Sequence, residues 1–255
     1  FPTRRSSDLG QPNSGVVAFE ASTGKTIWEN VGKKTWDGER KTGWRGEPYI
    51  QWREYEKQAS YASPVAATIH GQRHILCLMR QGLVSLNPDT GEENFHFWFR
   101  ARVNESVNAM NPVVSGDTIL ISAAYYRIGS VLLKVAPGGT SVTETWRSRA
   151  LEVHWTTPVL HDGNLYAFSG RNEPDARFRC VEMATGKLVW DQDESWRKSY
   201  LAAPEKYGRG SAILADNKLI VMGEAGQLGL FRPNPVMAEE ISKFQVPEMK
   251  YPCWT

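Results

Sequence analysis

The side chains able to do chemistry are few and scattered. Histidines stand at His70, His74, His96, His154 and His161. His70 and His74 are four residues apart, a spacing at which two helical side chains can share a metal ion. Here, however, they flank a His-Gly turn that runs into an apolar strand, so a solvated turn is expected. Asp191-Gln192-Asp193-Glu194 gathers oxygens but lacks the glycine and spaced ligands of a calcium loop, and it reads as a polar connection. Cys77, Cys180 and Cys253 are far apart, with no CxxC and no adjacent pair; an odd number leaves at least one thiol outside any intrachain disulfide. No nucleophile elbow, phosphate-binding loop or dinucleotide fingerprint occurs. These residues assemble no catalytic set and no metal site.

Charge narrows the partners. Thirty basic against 28 acidic side chains leave a net charge of +2 without a dense Lys/Arg stripe, which gives no electrostatic case for nucleic acid or an anionic membrane. No apolar run approaches the roughly 18–20 residues of a transmembrane segment. Phe1-Pro2-Thr3-Arg4-Arg5-Ser6-Ser7-Asp8-Leu9 back-translates into a widely used sequencing-library adapter, so residues 1–9 are expected to be an artefact and residues 10–255 the domain. The expected domain is cut at both ends.

What would position any site is a repeat. Ten tryptophans are many for this length and invite a search for one. Ala18-Phe19-Glu20-Ala21-Ser22-Thr23-Gly24-Lys25-Thr26-Ile27-Trp28 recurs as Ser85–Phe95 and as Cys180–Trp190, and each copy places an aromatic residue four positions after the Thr-Gly glycine. A degenerate copy runs from Val135 through Gly138-Gly139 to Trp146. This is hairpin chemistry: a short strand, a tight turn whose glycine takes positive φ and whose Thr bonds the turn backbone, then a strand ending on an aromatic plug.

A second hairpin precedes each of the later copies. It starts at Ser63-Pro64-Val65, Asn111-Pro112-Val113, Thr157-Pro158-Val159 and Gly210-Ser211-Ala212, then turns into apolar strands at Ile75–Met79, Thr118–Ser122, Leu165–Phe168 and Leu219–Met222. Pro64 to Pro112 is 48 residues, Pro112 to Pro158 is 46, and Asp162 to Asp216 is 54. Four short strands per period are the content of one propeller blade. The expected fold is therefore all-β: a truncated β-propeller with whole four-stranded blades at about 62–100, 110–150, 156–193 and 209–246, plus two partial ones. Trp190-Asp191 resembles a WD40 dipeptide, but it follows the turn rather than preceding it, and no other copy keeps the Asp. A β-sandwich would not explain the persistent period.

The unit Ala-x-(Asp/Glu)-x-x-Thr-Gly-Lys-x-x-Trp resembles the tryptophan-docking repeat of quinoprotein (PQQ-like) propellers, over essentially all of residues 10–255. That resemblance implies structural docking of each blade to its neighbour through Trp28, Phe95, Trp146 and Trp190. It also implies a periplasmic or secreted protein. The family holds both cofactor-free outer-membrane assembly lipoproteins and PQQ-dependent alcohol or sugar dehydrogenases. The repeat marks blade packing rather than quinone binding, so a non-catalytic binding or scaffolding module of the bacterial cell envelope is the expectation, with protein partners or a small ligand at a propeller face. The alternative is a dehydrogenase fragment, in which PQQ takes a hydride with calcium as Lewis acid. In such enzymes PQQ rests on a disulfide between adjacent cysteines, which this chain lacks. In a propeller the innermost strands line the channel. The residues just before them, Asn108, Asn111, His154, Trp155 and Arg209, are the candidate ligand contacts; the same residues suit the fixing of loops and water. The loop 29–60, with Trp36, Trp44 and Trp52, is a further candidate surface or a cap over a blade.

Overall fold

The computed structural model describes residues 15–30, 60–101, 107–196 and 205–253. Residues 1–9, the tryptophans of the 29–60 loop and Trp254 lie outside the described residues. The described chain is built of β-strands joined by turns. β1 (Val16–Phe19) and β2 (Thr26–Asn30) form a two-stranded hairpin. Four four-stranded sheets follow, each with its strands in chain order. The first is β3 (Val65–Ile69), β4 (Gln72–Met79), β5 (Gly82–Leu86) and β6 (Glu93–Trp98). The second is β7 (Val113–Ser115), β8 (Thr118–Ala123), β9 (Gly129–Val135) and β10 (Val142–Ser148). The third is β11 (Val159–His161), β12 (Asn164–Ser169), β13 (Arg177–Glu182) and β14 (Leu188–Asp193). The fourth is β15 (Ser211–Ala215), β16 (Lys218–Met222), β17 (Gln227–Arg232) and β18 (Glu239–Gln245).

Two turn chemistries write this pattern. In three of the four sheets the turn between first and second strands holds two residues, both at positive φ: His70 and Gly71 at 50° and 79°, Asp162 and Gly163 at 46° and 75°, Asp216 and Asn217 at 47° and 52°; in the second sheet only Gly116, at 57°, is in that region. The paired form is the type I′ geometry, whose twist matches the flanking strands and which favours Gly, Asn and Asp. The turn between third and fourth strands is the Thr-Gly element. Gly24, Gly91 and Gly186 sit at φ of 71°, 72° and 69°. Each glycine N–H donates to the carbonyl four residues earlier, on Glu20, Asn87 and Glu182, at 2.8–2.9 Å. Each Thr hydroxyl accepts from the N–H two residues later, on Lys25, Glu92 and Lys187, at 3.2–3.3 Å. A β-bulge follows at the same place each time, just past the pairs Ala18↔Trp28, Ser85↔Phe95 and Cys180↔Trp190. The bulge also occurs in the fourth sheet, past Leu230↔Ser242, where a serine stands in the aromatic position.

The chain divides into two compact units, residues 1–121 with 132–145 and residues 122–131 with 146–255. In the first, Cys77, Met79, Val84 and Leu86 form a core against which Trp28 and Trp98 pack. In the second, Phe168 stacks on Phe178 at 4.6 Å between ring centres, and Phe178 meets Phe231 edge-on at 5.4 Å. Tyr166, Cys180, Leu219 and Val221 complete that core. Tyr166 and Phe168, Phe178 and Cys180, and Leu219 and Val221 stand at alternate positions, so each pair occupies one face of its strand, and a one-residue slip would turn it to the other face. Burial raises the Cys77 thiol to about 12 and the Cys180 thiol to about 11, so both behave as small apolar side chains. None of the three cysteines is in a disulfide.

Candidate functional site

The aromatic residues of the repeat join one hairpin to the next. Trp28 Nε1 donates to the Pro88 carbonyl at 2.9 Å, Trp146 Nε1 to Met183 O at 3.0 Å and Trp190 Nε1 to Asn234 O at 2.8 Å. The receiving carbonyl lies each time in the turn between the third and fourth strands of a sheet later in the chain. A Cβ placed on Gly91 would come within 2.4 Å of the Trp28 ring, and one on Gly186 within 2.6 Å of Trp146. The turn glycine therefore serves twice, as the positive-φ residue and as the flat seat for the preceding indole. Phe95 is buried but has no N–H to give. In the same sheet, His70 Nε2 donates to Val135 O at 3.1 Å, and a Cβ on Gly139 would meet Gln72 Oε1 at 2.2 Å and the His74 ring at 3.0 Å. His74 is buried, bonded through Nδ1 to Ser85 Oγ at 2.8 Å, with the Asn94 amide donating to the same hydroxyl at 3.2 Å. Its Nε2 has no hydrogen-bond partner. Burial, with His70 adding to it, lowers the His74 pKa, so the ring is neutral near pH 7.

The five candidate ligand contacts fall into two groups. Asn108 and Asn111 belong to the first unit, and both fasten backbone there. The buried Asn108 side-chain amide donates at 2.9 Å to Met79 O and to Phe99 O, while the Asn108 backbone carbonyl accepts from the Tyr61 N–H at 3.1 Å and from the Ser60 hydroxyl. Asn111 Oδ1 accepts from the Ser63 N–H at 2.7 Å.

His154, Trp155 and Arg209 come together in the second unit. The rings of His154 and Trp155 lie 4.2 Å apart, and the Arg209 guanidinium lies 4.4 Å over the Trp155 ring. Arg209 Nη2 pairs with the fully buried Glu224 carboxylate at 2.6 Å, and the Arg209 N–H donates to the other Glu224 oxygen at 2.9 Å. A buried carboxylate needs such pairing to stay charged. Arg209 Nη1 also donates to Arg171 O at 2.5 Å. Arg171 in turn lays its guanidinium 4.2 Å over Tyr125 and 5.3 Å from Tyr126. Tyr125 meets His154 edge-on at 5.1 Å. Burial, then the charges of Arg209 and Arg171, push the His154 pKa down to about 4. The buried His154 Nδ1 has no hydrogen-bond partner.

Tyr125, Tyr126, Arg171 and Glu224 were not expected from the sequence. They lie in the connections between second and third strands, and only alignment of those connections across repeats would have grouped them. Among the described residues, no group of three or more His, Cys, Asp or Glu is placed to hold a metal ion. No described helix is long and apolar enough to cross a membrane.

A family model described as outer membrane protein assembly factor BamB matches residues 37–192. Among solved structures, BamB from Moraxella catarrhalis aligns at a TM-score of 0.42 and 12% identity, over 90% of this chain and 70% of that one. The computationally designed Ika4 protein aligns at 0.44 and 10%, over 68% and 92%. A europium-containing methanol dehydrogenase aligns at 0.49 and 12%, over 74% and 44%. No curated protein matches the chain by sequence.

Proposed function

The chain belongs to the PQQ-like propeller family described as outer membrane protein assembly factor BamB, and from that premise we propose that it is a non-catalytic binding module of the bacterial cell envelope, presenting loops to a protein partner. Family membership carries this reading. The site chemistry supports it: Asn108 and Asn111 in the first unit, and Arg209 in the second, spend their polar groups on fastening backbone or a buried carboxylate, so each holds the loops of its own unit in place.

The residues present do not fit PQQ as the resemblance describes its seat. That seat needs two adjacent cysteines, whereas Cys77 and Cys180 are buried singly with thiols held neutral, and Cys253 stands apart from both. The test is reconstitution. The protein is titrated with PQQ and calcium while absorbance and dye reduction with alcohols and sugars are followed. The expected result is no saturable binding at micromolar PQQ and no turnover. Stoichiometric binding with turnover would replace this reading by a quinoprotein dehydrogenase.

A further inference from the structure

The cluster around Arg171 is built for a charge it does not contain. The Arg171 backbone is held from both sides: its N–H donates to Asp175 Oδ2 at 3.3 Å and its carbonyl accepts from Arg209. Asn172 N–H donates to the other Asp175 oxygen at 2.6 Å, closing the connection on itself. The guanidinium rests on two tyrosine rings, and among the described residues no carboxylate pairs with it. Arg209 is neutralised by Glu224, and Arg127, which follows the two tyrosines, donates to Glu152 Oε1 at 3.1 Å. Arg171 is thus the uncompensated cation of the group.

The tyrosine platform is held at a cost. Tyr126 and Arg127 sit at φ of 52° and 60°, two consecutive non-glycine residues in the left-handed region. Non-glycine residues adopt this region rarely, and strain of this kind persists at sites where geometry matters. The turn places the Tyr126 ring, 48% exposed, next to a half-buried Tyr125. Behind them lies His154 with its unbonded Nδ1.

We propose that Arg171, seated on Tyr125 and Tyr126, is a recognition point for a carboxylate presented by an acidic segment of a protein partner. This rests on the binding-module reading. A guanidinium preorganised on aromatic faces offers its planar N–H edge for two parallel bonds to a carboxylate, and little rotamer freedom is lost on binding. Arg171 is itself only partly buried, so a side chain arriving on another surface can reach it, and Arg-based capture of acidic motifs is a common peptide-recognition mode.

The experiment titrates the full chain with a synthetic peptide carrying six consecutive glutamates, following Trp fluorescence. Parallel titrations use the glutamine version of the peptide, free glutarate and inorganic phosphate. Saturable binding of the acidic peptide, at least tenfold tighter than any of the other three, is expected. Arg171→Gln should weaken it at least tenfold. Tyr126→Asn, which keeps a residue tolerant of positive φ while removing the ring, should weaken it about two- to fivefold. Unchanged affinity in Arg171→Gln, or glutarate or phosphate binding as well as the peptide, would overturn the assignment. Failure here without PQQ turnover removes only this site. PQQ turnover removes the binding-module reading itself, whatever the peptide does.

Discussion

Two junctions in the first unit solve one packing problem with different chemistry. At the first, the Trp28 ring covers Gly91 and its N–H reaches the Pro88 carbonyl. At the second, Phe95 fills the same register position, and the polar link comes from the β3–β4 turn, where His70 reaches Val135 O, while His74 abuts Gly139. One junction concentrates its area, its polar bond and its glycine seat on a single side chain. The other spreads them over a phenylalanine and two histidines. What the repeat conserves within this chain is a filled seat and a satisfied carbonyl, not the residue that supplies them.

This comparison breaks most visibly at the seat. Gly91→Ala combines about 1–2 kcal/mol of left-handed strain with about 1–3 kcal/mol of overlap against Trp28. Gly24→Ala has the same φ with nothing within 4 Å, so it should cost the strain alone. Denaturation midpoints of the two variants measure the difference, and equal losses would show that Gly91 is not a seat. Next in size, Trp28→Phe should cost about 1–2 kcal/mol by leaving the Pro88 carbonyl without its donor, whereas the Phe95 junction already operates without an indole.

A smaller effect sharpens the second junction. His70→Ala should cost about 1 kcal/mol and should couple in a double-mutant cycle to Gly139→Ala but not to Trp28→Phe. Additivity with both would mean that His70 plays no part in the junction. The smallest expected effect is that of pH. The folded-state pKa of His74 lies below its unfolded value near 6.5, so the stability it contributes is present above that value and is lost as pH falls through the lower folded one. Amide protection around Gly139, taken relative to the intrinsic exchange rate at each pH, should therefore fall on acidification more than protection around Gly91. The reverse order would contradict a neutral buried His74.

What was legible in the sequence was local. The Thr-Gly turn declares itself because Thr23, Gly24 and Lys25 make its bonds among themselves, and His70-Gly71 and Asp162-Gly163 declare theirs through positive φ. The all-β repeat, with an aromatic four residues past the glycine, follows from those turns. The site was less legible because its partners come from different repeats. Arg209 was visible as a polar residue before a strand, but nothing near it in sequence shows Glu224 beneath it or Trp155 under its guanidinium. Arg171 sat in an unremarked Arg-Asn pair. Its platform depends on the left-handed backbone at Tyr126, which no residue type there announces. Asn108 shows the opposite limit: its residue type suits a ligand, and its surroundings engage it with backbone.

The two buried thiols carry a consequence for handling the protein in an oxidising medium. Disulfide exchange and alkylation proceed through the thiolate, and at about 12 and about 11 Cys77 and Cys180 hold almost none at neutral pH. Each becomes reactive only when the sheet around it opens. Cys77 lies in one compact unit and Cys180 in the other. Their alkylation rates are therefore two separate clocks, one for the opening of each unit, already built into the unmodified chain.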